Sequence, residues 1–262
     1  MAFPAVHYGN FGDEKVTSSS KIGGLPLGTK MVLPDGREFR HAYCSGTAIA
    51  VGKVYQTQVQ IADAQYAAGS VTVAVAAANT TTVGITTGGT TAITTDQFAD
   101  GHLIVSGSAG GGIGWSYKIK SNNSAAAGST TCTLTLYETD PIKVAIAGGT
   151  AEVGVRENPW RGVILTTADT VIAGRFGVSC SSAAASSYVW LQTKGPAACY
   201  VAGTAVVSGE VVVASTGVAG AVAKIVASTA GPTSAKAMLN PIGQVLLASI
   251  ANGYAMVDLW LE

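Results

Sequence analysis

The most constraining feature of this chain is a pattern of short stretches that alternate with a period of two, each closed by glycine, asparagine, aspartate or serine. In Trp115-Ser116-Tyr117-Lys118-Ile119-Lys120, the residues Trp115, Tyr117 and Ile119 fall on one face and Ser116, Lys118 and Lys120 on the other. Thr131 to Tyr137 sets Cys132, Leu134 and Leu136 against hydroxyl and phenol side chains, and Ser70–Val75, Thr82–Thr86 and His102–Val105 repeat the habit. Ala62–Ala68 and Ser181–Ser187 allow short helical turns, but no long amphipathic helical stretch accompanies the strands. The pattern predicts an all-β chain with two antiparallel β-sandwich or barrel-like domains.

The expected organisation has three parts. Residues 1–53 form an extended N-terminal arm and a hairpin. The arm, to about residue 30, is rich in glycine and serine with little periodicity, and the hairpin turns at Pro34-Asp35-Gly36, where proline presets φ and glycine tolerates positive φ. Residues 54–145 form a β domain, in the manner of an outward-facing insertion. Residues 146–262 form a C-terminal β domain, with strands expected at 142–147, 151–155, 162–166, 171–179, 188–193, 199–202, 205–214, 221–227, 243–249 and 254–261. The last of these places Tyr254, Met256, Asp258 and Trp260 on one face and Ala255, Val257, Leu259 and Leu261 on the other.

Charge then limits the partners. Fifteen basic and fifteen acidic residues give a formal net charge of zero, and charged residues are 11% of the 262. Phosphate binding needs clustered Lys and Arg, so nucleic acid is not an expected partner. A surface left to Thr, Ser, Ala and Gly lacks electrostatic protection from self-association, which points to burial against other protein surfaces. The longest apolar runs, such as Val71–Ala78, fall short of a membrane span, and the opening residues lack the basic and apolar regions of an export signal, so neither a membrane nor secretion is expected.

No catalytic, cofactor or metal site is expected. His7, His41 and His102 stand outside any two-ligand spacing, and Cys44, Cys132, Cys180 and Cys199 form no CxxC or Cys/His pattern. Gly110-Gly111-Gly112-Ile113-Gly114 lacks the Lys-Ser/Thr of a phosphate cradle. Asp96 with Asp100, and Glu138 with Asp140, suggest solvated turns instead of a calcium loop. The candidate residues are those of an interface: Trp160 and Arg161 on the rigid turn Asn158-Pro159-Trp160-Arg161-Gly162, Phe39 and Arg40 on the hairpin, and Tyr8 and Phe11 on the arm. Among the tryptophans Trp115, Trp160, Trp190 and Trp260, at least two are expected in the core.

Several segments resemble structural proteins of tailed bacteriophages, the capsid decoration or cement proteins in particular. They are Asp35–Arg40 running into Gly46–Lys53, Tyr117–Ser121 leading to Thr133–Glu138, Val189–Pro196, and Ile242–Leu247. The resemblance implies a non-enzymatic virion protein made in the host cytoplasm and bound to the outer capsid surface. It would reinforce contacts between major capsid subunits as a homotrimer, with the major capsid protein and itself as partners. The alternative is a head-fibre or tail-associated adhesin module that binds cell-surface glycans, for which an aromatic platform on the middle section would be the mark.

Overall fold

The structure is a computed structural model that describes residues 6–44, 46–58, 66, 69, 71–87, 90–128, 130–166, 176–215, 217–225 and 241–261. The chain is all-β, and no helix among the described residues is long and apolar enough to cross a membrane. It divides into two compact units, one of Met1–Gln58 with Pro159–Glu262, the other Val59–Asn158. The expected boundaries at 53/54 and 145/146 therefore move to 58/59 and 158/159. Each shift has its own cause. The strand Val54–Gln56 pairs with first-unit strands, and Ala151, Val153 and Val155 belong to the core of the second unit.

The first unit is built on a sheet ordered β1 (Val6–Tyr8), β2 (Lys30–Val32), β3 (Glu38–Cys44), β13 (Ser187–Tyr200), β17 (Tyr254–Trp260), β16 (Pro241–Leu247), β14 (Val211–Ala214) and β15 (Val222–Lys224). Beside this path, β4 (Val54–Gln56) pairs with β11 (Ile164–Leu165) and β12 (Phe176–Ser179), and β12 pairs with β13. The 14-residue β13 is the spine. Ser187 to Lys194 pairs with β3, and Lys194 to Tyr200 with β17. The separate strands expected at 188–193 and 199–202 are thus one strand, running through Gly195-Pro196.

A glycine and a proline would ordinarily break a strand, since proline offers no ladder donor. Here the fully buried Gln192 side chain holds the irregular stretch together by satisfying its carbonyls. Its Nε2 donates to the carbonyls of Lys194, Gly195 and Pro196 at 3.1, 3.1 and 2.9 Å, and its Oε1 accepts from the Cys180 thiol at 3.2 Å. The register shifts between Gln192 and Lys194, and Gly195 holds φ at +82°, a conformation that a side chain would strain. The bulge lets one strand serve two partners in succession.

The N-terminal segment is not a free arm. β1 pairs in parallel with β2, Ser18 bridges Tyr188, and Gly9 donates to the Val32 carbonyl. Leu25, Met31 and Leu33 bury against Phe39 and Trp190, while Leu27 joins a second cluster with Ala42, Tyr55, Trp160 and Leu191. These leucines and the methionine are spaced too irregularly to show a period, yet each contributes about 1.5–3 kcal/mol on burial. Glu14, itself buried, accepts from the Gly12 N–H and faces Arg37 at 3.8 Å, which fastens the segment to the β2–β3 turn. That turn is the expected Pro34-Asp35-Gly36 hairpin, with Val32 opposite Glu38.

The second unit is a six-stranded sheet ordered β5 (Val71–Thr72), β10 (Glu152–Arg156), β7 (His102–Val105), β8 (Ser116–Asn122), β9 (Thr131–Leu136) and β6 (Thr82–Thr86). A bridge between Val73 and Ile85 brings its edges together, so the sheet is barrel-like and nearly closed. The alternation holds inside it, for Tyr117, Ile119, Cys132, Leu134 and Leu136 are all core. Trp115, expected to share that face, lies before the strand and is exposed. Asp100 is no solvated turn residue. It is fully buried, accepts the Tyr137 hydroxyl at 2.7 Å, and its carbonyl accepts from Asn158 Nδ2 and from Lys118 Nζ. Burial and this carboxylate push the Tyr137 phenol well above its ordinary value.

Of the remaining expected strands, 142–147 is reduced to a bridge at Ile146, and 205–214 is strand only from Val211. Ser181–Ser187 forms a bridge and a turn rather than a helix. Most of Ala62–Ala68 lies outside the described residues.

Two outcomes test this architecture. Gln56 pairs with Ile164 on neighbouring antiparallel strands, so residues 59–158 occupy the place of a hairpin loop. Replacing them with a short Gly/Ser linker should leave the first unit folded, seen as a cooperative melt with β-type circular dichroism; a molten product would refute the insertion. Gln192→Leu removes the side-chain donor from three partly buried carbonyls and should lower stability by roughly 1–3 kcal/mol in a denaturant titration. A loss below about 0.5 kcal/mol would show that the bulge does not depend on this amide.

Candidate interaction surface

β17 is apolar on both faces. Ala255, Val257 and Leu259 point into a core shared with Val54, Val178, Cys199, Ile242 and Val245. Tyr254, Met256 and Trp260 point outward and are exposed, and Asp258 is half-buried among them. Pairing extends this outward face in rows. Trp260 lies opposite Lys194, Asp258 stands between Pro196 and Gln244, Met256 between Ala198 and Leu247, and Tyr254 opposite Tyr200.

Local geometry enlarges the apolar area. A register shift between Val245 and Leu247 leaves the successive residues Leu246 and Leu247 both exposed. Ile250, on the turn between β16 and β17, is 79% exposed. At the other flank the Tyr200 and Tyr254 rings meet edge to face at 5.5 Å, and the Lys53 ammonium sits 3.4 Å above Tyr200. Partial burial holds Lys53 below the ordinary lysine value. The turn Val51-Gly52 lies so close to the Tyr254 ring that a Cβ on Gly52 would come within 2.6 Å of it. A contiguous apolar face of this kind, carrying an indole, a phenol, a thioether and aliphatic side chains, is a surface for burial against protein.

The expected interface residues fall elsewhere and are not gathered together. Trp160 is 5% exposed and packs with Leu27, Ala42, Tyr55 and Val163, while its carbonyl accepts from the Tyr43 N–H. Phe39 is fully buried against Met31 and Trp190. Both are core: Phe39 is an inward residue of β3, and the turn that carries Trp160 folds back onto β3. Arg40 Nη1 donates to the Gly28 carbonyl, and Arg161 stacks on Tyr43 at 5.6 Å. Tyr8 and Phe11 are 80% and 66% exposed. They lie at or beside the β1 edge, four strand positions or about 19 Å from β17 along the sheet. Trp160 and Trp190 are the buried tryptophans, and Trp115 and Trp260 are exposed.

The chemistry-bearing side chains are tied into structure. His41 is fully buried, flanked by Tyr188 and Trp190 at 5.5 and 5.1 Å, with Nδ1 at 3.2 Å from the Pro26 carbonyl. A ring so enclosed cannot reach a substrate. His7 lies parallel to Trp190 and lines, with Asp13, Leu25 and Met31, a cavity of about 270 Å3 beneath the N-terminal segment. Cys44, Cys132 and Cys199 are buried free thiols, and burial pushes Cys180 up to about 11. Among the described residues no group of three His, Cys, Asp or Glu side chains gathers in a metal-binding arrangement.

The β17 face was readable in outline. The sequence places Tyr254, Met256 and Trp260 opposite Ala255, Val257 and Leu259, and a strand apolar on both sides needs a covering layer on each. What sequence reasoning missed was that the second layer is absent from the described residues. No family model, curated protein or solved structure matches the chain.

Trp160→Ala should destabilise the first unit by about 3–5 kcal/mol through the cavity it opens. Chemical denaturation checks this, and a change under about 1 kcal/mol would return Trp160 to the surface.

Proposed function

We propose that the chain is a non-enzymatic structural protein of a tailed-phage virion. It binds the outer surface of the capsid and stabilises contacts between major capsid subunits, as a homotrimer. The observation that carries this reading is the outward apolar face of β13, β17 and β16, centred on Met256. Exposed to water, such a face is an aggregation liability; covered by protein, each large side chain contributes on the order of 1 kcal/mol or more. The zero net charge agrees, since a chain stored within an assembly needs no electrostatic repulsion to stay soluble. The resemblance of several segments to decoration proteins supplies the virion context.

The glycan-binding alternative calls for an aromatic platform on the middle section. Among the described residues of the second unit, the exposed large apolar side chains are Val75, Ile104, Ile113, Trp115 and Val144. One indole among aliphatic residues gives sugar rings little to stack on, so the protein-covered reading is preferred.

The test uses heads from the phage that encodes the chain, assembled without it. Purified chain added back should co-sediment saturably and raise the temperature at which the heads release their DNA. Heads that neither bind the chain nor gain heat resistance would refute the capsid role.

A further inference from the structure

We infer that the outward face of β13, β17 and β16 is where copies of this chain meet one another. The inference rests on the reading that protein covers this face, and it names the protein. Charge decides the occupant. The Asp258 carboxylate stands at the centre of the face, between Pro196 and Gln244, and makes no hydrogen bond or ion pair with another described residue. One row away, Lys194 is exposed and its ammonium reaches Glu38 at 3.4 Å. On the far flank the Lys53 ammonium rests on Tyr200. The face is therefore apolar with one central anion and a cation toward each end.

An acidic partner would answer the two lysines and repel Asp258, whereas a basic partner would do the reverse. A second copy answers both signs at once, provided that it is displaced. Directly superposed faces would set Asp258 against Asp258, an unfavourable like-charge contact. A shift of one row along the strands, two residues or about 6.7 Å, sets Asp258 of one copy beside Lys194 of the next, a head-to-tail contact that a trimer can close. The same shift lays Met256 and Leu247 over apolar rows of the neighbouring copy, and zero net charge leaves no long-range repulsion to overcome.

Charge reversal with complementation tests the contact. Wild-type chain is followed by light scattering over a hundredfold dilution, beside Asp258→Lys, Lys194→Asp and Met256→Glu, each checked by its thermal melt. Wild type should associate, and each variant should weaken association by about tenfold or more. An equimolar mixture of Asp258→Lys with Lys194→Asp should recover pairwise association that neither variant shows alone, because each supplies the charge that the other lacks. Complementation is a signature that a folding defect cannot mimic. A wild-type chain that stays monomeric, or variants that associate as wild type does, would overturn the inference. Binding of heads by a monomeric chain would retain the capsid role while removing this contact; association through this face without head binding would do the opposite.

Discussion

The first unit depends on one buried amide. Gln192 caps the carbonyls of Lys194, Gly195 and Pro196, and so lets β13 pass through a glycine and a proline without ending. Everything on either side follows from that continuity. The first half of β13 carries Trp190 on one face, toward the N-terminal segment, and Val189 and Leu191 on the other, toward the cluster that holds Trp160. The second half passes Ala197 and Cys199 to a third cluster and presents Lys194, Pro196 and Ala198 outward. A strand that ended at residue 193 would leave β17 without its central partner. The outward face would then have no frame.

The second unit shows the same economy with different groups. Asp100 adopts a positive φ of 60° before Gly101, where the backbone passes so close to Arg156 that no side chain fits. The buried carboxylate takes its hydrogen from Tyr137, and Asn122 holds the preceding turn by accepting from the Phe98 N–H and donating to the Thr94 carbonyl. In both units buried polar side chains, Gln192 in one and Asn122 in the other, satisfy backbone at irregular places in the strands. Buried amides and carbonyls there would otherwise be lost to desolvation.

Strands with clean alternation were legible residue by residue. β9 buries Cys132, Leu134 and Leu136 as its pattern requires, and β17 buries Ala255, Val257 and Leu259. The segments that misled share a physical cause, in that their structure is fixed by distant groups. Gly195-Pro196 signals a break unless Gln192 is known to face its carbonyls. The stretch from Ser18 to Gly28 carries no period, and its burial depends on Phe39 and Trp190 being open to receive Leu25. Pro159-Trp160 resembles an exposed turn, and only the bridge from Tyr43 to Arg161 turns the indole inward. The interaction surface was half legible: the outward residues of β17 follow from alternation, but their exposure depends on which strands flank β17 and on what lies above them.

The position of the second unit has a kinetic consequence. β3 finds its partner β13 about 150 residues later in the chain, and β4 reaches β11 across the whole of residues 59–158. Closing a flexible loop of about 100 residues costs roughly 2.7 kcal/mol more than closing one of about five, by the logarithmic dependence of loop entropy on length. If Val59–Asn158 folds first, that long flexible connection becomes a compact spacer, and much of the cost has been met before β4 searches for β11. During synthesis, β1 to β4 emerge long before the strands that cover them, and the barrel-like unit is the first part of the chain able to complete itself. The inserted unit would then act as an internal folding aid, shortening the search that the split unit must make.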